Sequence, residues 1–103
     1  MDKENILIEQ IRKIGWSVYL QLRTTKTVKN EDFEELLRKL TKYKDLTKNN
    51  ESFSKYSLAV LLDIFMALTT EIYNYLDPDC ENIIGIYCMK LDELISQIFG
   101  MDI

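Results

Sequence analysis

The chain has 103 residues, 47% of them hydrophobic, with three Gly, one Pro and no His. That length suits one domain over 1–103. The apolar share argues against disorder, and the scarcity of Gly and Pro argues against an all-β chain with its many turns. Net charge is −4 and unevenly spread: residues 1–55 carry twelve Lys/Arg against nine acids, and residues 56–103 carry Lys90 alone against eight.

Hydrophobic spacing predicts a first helix over residues 3–23. Leu7, Ile11, Ile14, Val18 and Leu22 recur at intervals of three and four, which marks one face of a helix. Trp16 is nine residues from Leu7 and therefore on the opposite side at 100° per residue. Arg12, Lys13, Tyr19, Leu20 and Arg23 lie near it. A Trp among Tyr and Arg on a nominally wet face has the composition of an interface hot spot. The other reading is that bundle packing wraps further round, or that a loop covers Trp16.

A break at residues 24–29 precedes a second helix over 31–48, with Asn30 as the expected N-cap and Glu31 and Asp32 at the positive end of the helix dipole. Phe33, Leu36, Leu37, Leu40 and Tyr43 form its stripe, and Glu34/Arg38 and Glu35/Lys39 are expected i,i+4 pairs. The third helix, from 53 or 54 to 76, is the most apolar. Its polar strip is narrow: Ala59, Asp63, Ala67, Thr70 and Asn74. A helix apolar on most sides is central, or is shared with another chain. Asp77-Pro78-Asp79 ends it and begins a fourth, with Pro78 at the first helical position and Gly100 as the terminating residue. Ile84, Tyr87, Cys88, Leu91, Leu94, Ile95, Ile98 and Phe99 make the main face of this last helix, while Ile83, Ile86 and Met89 look away from it.

Four such segments with short breaks predict an all-α fold, a small antiparallel bundle of about four helices. The expected core contains Leu36, Leu40, Leu61, Phe65, Leu68, Leu91 and Ile95.

Several chemistries have no basis in these residues. Without His the usual general base and zinc ligand are missing. Gly15, Gly85 and Gly100 are isolated, so no Gly-rich loop can cradle a phosphate. Cys80 and Cys88, if on one helix, stand about 12 Å apart along it and cannot bridge. Asp63 and Glu71 are two turns apart, too far to act as a carboxylate pair. The expectation is no enzyme, no metal and no cofactor.

Met1-Asp2-Lys3-Glu4 is charged, and Ile6-Leu7-Ile8 is too short for a signal-peptide core. The apolar run at 58–68 is too short for a membrane span, which needs about 20 residues. A cytoplasmic location follows as an expectation. The Lys-, Ile- and Asn-rich composition fits a microbial or phage chain.

The leading expectation is a protein-binding module (adaptor, inhibitor, antitoxin or immunity-type protein). Its partner is a protein, either another chain or a second copy of itself as a homodimer. The candidate contact residues are Arg12, Trp16, Tyr19, Leu20, Arg23, Ile83, Ile86 and Met89. The alternative is a small nucleic-acid-binding regulator using residues 23–55, where nine Lys/Arg alternate with six acids. In length, helix order and its amphipathic second helix, the chain resembles the small four-helix immunity proteins that protect bacteriocin producers. The resemblance covers the whole chain, implies an inhibitory protein-binding role, and carries no functional residue over.

Overall fold

In the computed structural model, residues 3–25, 29–49, 53–75 and 83–99 are described. They contain four helices: α1 (Lys3–Thr25), α2 (Asn30–Thr47), α3 (Lys55–Tyr75) and α4 (Ile83–Ile98). The molecule is a small all-α helical bundle, as the periodicity predicts. The predicted caps at Asp77, Pro78 and Gly100 lie outside the described residues, as does Cys80; of Cys88 only the backbone is described. The question of a Cys80–Cys88 bridge therefore falls outside them too.

Helix α1 packs on α2 and α3, and α4 packs on the same two, while α1 and α4 do not meet and neither do α2 and α3. The helices thus occupy the corners of a square in the ring order α1, α2, α4, α3. Cross-helix contacts give their directions. Lys39 reaches Gln10 while Asp32 accepts from Gln21, so α1 and α2 are antiparallel. Glu34 meets Tyr87 and Lys44 meets Gln97, so α2 and α4 run the same way. Tyr56 meets Glu9 and Ile64 meets Gly15, so α1 and α3 are also parallel. Consecutive helices alternate in direction, as expected of short connections, yet two of the four packed faces join parallel helices. The cause is the diagonal crossing from α2 to α3. Seven residues, 48–54, separate them. Such a segment can span more than 20 Å, beyond the roughly 14 Å diagonal of a square with 10 Å sides.

The core draws on all four stripes. Leu36, Leu40, Leu61, Leu68 and Leu91 are completely buried and Ile95 nearly so. Phe65 departs from expectation: it is only partly buried and packs against the core from its rim. It stands 100° round α3 from Ile64, which faces α1, at the edge of the buried stripe. Phe33 stacks on Tyr87 at 4.8 Å, tying α2 to α4. At the other end Tyr43, Phe53 and Phe99 form a chain of rings at 6.3 and 6.1 Å.

Helix ends are held locally. The N-cap of α2 is Lys29, not Asn30, and no side chain caps it in the usual way. Instead Gln21 of α1 accepts from the Lys29 N–H at 2.9 Å and donates to the Asp32 carboxylate at 2.7 Å. Ser54 caps α3, its hydroxyl accepting from the Ser57 N–H at 3.1 Å. On α2, Glu35 binds both Arg38 and Lys39. The expected Glu34–Arg38 pair does not form, because Glu34 turns instead to the Tyr87 hydroxyl. Gly15 is buried where α1 meets α3: a Cβ there would lie 2.8 Å from Ile64 Cδ1.

Candidate functional site

Five of the eight candidate residues share one flank of α1. Trp16 stands edge-on to Tyr19, ring centroids 5.2 Å apart and planes at 83°. The Arg23 guanidinium donates to the Tyr19 hydroxyl at 2.8 Å. One turn earlier Arg12 donates through two nitrogens to the Glu9 carboxylate, at 3.2 and 3.1 Å. Tyr19 touches the core, whereas Trp16 remains 37% exposed and Leu20 55% exposed. Trp16 is thus neither a core residue nor a free one. One edge is fixed by Tyr19, and the remaining face is open.

The flank belongs to the α1–α3 side of the square. The Tyr56 hydroxyl of α3 donates to Glu9, the second partner of that carboxylate. This bond, with Arg12 close behind it, holds Glu9 below the usual carboxylate range, and the same carboxylate pushes the Tyr56 phenol up. Glu9, Trp16 and Leu20 are seven and eleven residues apart, so Trp16 and Leu20 lie within about 20° of the Glu9 direction. Tyr56, Asp63 and Ala67 share the same spacing on α3. Two parallel columns therefore face one side of the molecule.

The remaining candidates lie elsewhere. Ile86 and Met89 are exposed on α4, the helix diagonal to α1, so they do not extend the Trp16 surface. Only the backbone of Ile83 is described. Sequence reasoning missed two exposed hydrophobic residues. Leu62 and Met66 count among the apolar majority of α3, yet they are 46% and 63% exposed, because α3 is a corner helix and not a central one. No spacing rule reveals this: in a helix apolar on most sides, the exposed strip depends on which neighbours it acquires.

In the basic segment 23–55 two cations are paired with an acid of their own helix. Glu35 takes Arg38 and Lys39, Lys44 donates to Gln97, and Lys29 sits at the start of α2. Among the described residues, no group of three or more His, Cys, Asp or Glu is placed to hold a metal ion. No helix among them is long and apolar enough to cross a membrane. Comparison with family models, with curated proteins and with solved structures finds no match to this chain.

Proposed function

We infer that the protein is a non-catalytic binding module that acts by laying the outer flank of α1 on another protein surface. The observation that carries this reading is the state of Trp16. It is braced edge-on by Tyr19, which Arg23 holds in turn, while its outer face and Leu20 stay open. A bundle helix needs only a polar face on that side. A pre-fixed aromatic with an adjacent Leu and flanking Arg resembles a binding anchor, because little side-chain freedom is left to lose on association. The inhibitor or immunity-type role belongs to this class. Nucleic-acid binding through 23–55 gains little from the structure, since acids on the same helix occupy two of its cations.

The test is a photocrosslinking residue placed at position 20, with position 45 on α2 as control, in the native host. The reading expects a discrete protein adduct from position 20 and none from position 45. No adduct at position 20, or equal adducts at both, would overturn it.

A further inference from the structure

We propose that the partner of the α1–α3 face is a second copy of the chain, related by a two-fold axis parallel to the helices, so that α1 of each copy lies along α3 of the other. This deepens the binding-module reading and rests on it.

The argument begins with register. The Glu9–Tyr56 bond and the Gly15–Ile64 contact set α3 alongside α1 with an offset of 47 to 49 residues. Trp16 therefore stands level with Asp63, Leu20 with Ala67, and Arg23 with Thr70 and Glu71. Beyond Glu9 the α1 column is bulky, with Trp16 and Leu20, and Arg12, Lys13 and Arg23 flank it. Beyond Tyr56 its α3 counterpart is shallow (Ala59, Asp63, Ala67, Thr70) and carries the acid Asp63. By helix, α1 carries four Lys/Arg against two acids, and α3 one Lys against two acids.

A symmetric contact must be complementary to itself. A two-fold axis parallel to the bundle preserves height and exchanges the columns. Trp16 and Leu20 of one copy then meet the low Asp63–Ala67 stretch of the other. Arg12 comes within a turn of Asp63, and Arg23 comes level with Glu71. The perpendicular two-fold axis would instead place α1 against α1, cation on cation, which repels. The flank is also large enough. Two helices of 23 and 21 residues present roughly 30 by 20 Å, at the lower end of the ~600–1,000 Å² per partner of a standard interface.

The test uses sedimentation of the full chain and two charge-reversed variants, Asp63→Arg/Glu71→Arg and Arg12→Glu/Arg23→Glu. All four positions are at least partly exposed, and circular dichroism checks that each variant folds. The wild type should form a concentration-dependent dimer whose Kd rises with salt. Each variant alone should dissociate at least about a hundredfold more readily. Mixed in equal amounts, the two should pair, because each then offers the charge the other needs. A monomeric wild type, a dimer indifferent to salt, or variants that do not recombine would overturn the second-copy proposal. If a position-20 adduct then contains a different protein, the binding face survives with another occupant. If there is no adduct, the face itself fails as well.

Discussion

At the scale of single residues, Gly15 and Glu9 govern how α1 meets α3. Alanine at a helical Gly normally gains about 1 kcal/mol. At Gly15 the new Cβ would meet Ile64 at three atoms, all at 3.0 Å or less. Ile64 is β-branched and buried, so it has little room to turn away. Gly15→Ala should therefore cost about 1 kcal/mol net by overpacking. In an Ile64→Ala background the same change should become neutral or stabilising, as denaturant titration of the four chains would show; equal effects in both backgrounds would refute the contact. Glu9 adds a pH response. Its carboxyl is lowered in the folded chain, so its contribution is present above about pH 4.5 and is lost as pH falls through the folded value. Tyr56 is raised, so its contribution is present below about pH 10 and is lost as pH climbs through its folded value. The gap in melting temperature between wild type and Tyr56→Phe should be widest between these limits and narrow on both sides. Because Tyr56 is exposed and Glu9 partly so, the gap should be small throughout.

At the scale of elements, the helices follow the chain's own periodicity. The stripes at Leu7, Ile11, Val18 and Leu22 and at Phe33, Leu36, Leu40 and Tyr43 are buried as their spacing predicts, because a one-sided apolar face has one way to leave water. Leu40→Ala should cost roughly 2–5 kcal/mol, since the side chain is fully enclosed. Phe65→Ala should cost less, since the ring sits at the core's rim; a larger loss than at Leu40 would contradict that position. What periodicity cannot carry is the order of elements in space. The α2 stripe suits either α3 or α4 as its second neighbour beside α1, and in the fold it takes α4. With every helix at a corner, α3 keeps one side wet and exposes Leu62 and Met66, and Gln21 of α1 takes the Lys29 N–H that opens α2.

At the scale of the whole molecule, the candidate site was legible in part. Trp16, Tyr19, Leu20 and Arg23 could be placed on one flank because they belong to one helix, and the angle per residue is fixed. Their separation from Ile86 and Met89 depends on α1 and α4 being diagonal, and the α3 column beside them depends on a parallel pairing; neither is written in spacing. The charge imbalance of the sequence also reads differently here. Of the eight acids in 56–103, Asp77, Asp79, Glu81 and Asp102 lie outside the described residues. The imbalance that matters for the flank is the local one between α1 and α3. The central claim, that Trp16 serves association and not the bundle, is tested most directly by Trp16→Ala in the chain carrying the crosslinker at position 20. Denaturant unfolding should show a folded chain that has lost less than about 2 kcal/mol, below the 3–5 kcal/mol typical of a buried Trp, while the position-20 adduct disappears. An unfolded chain, or an unchanged adduct from a folded one, would contradict the account.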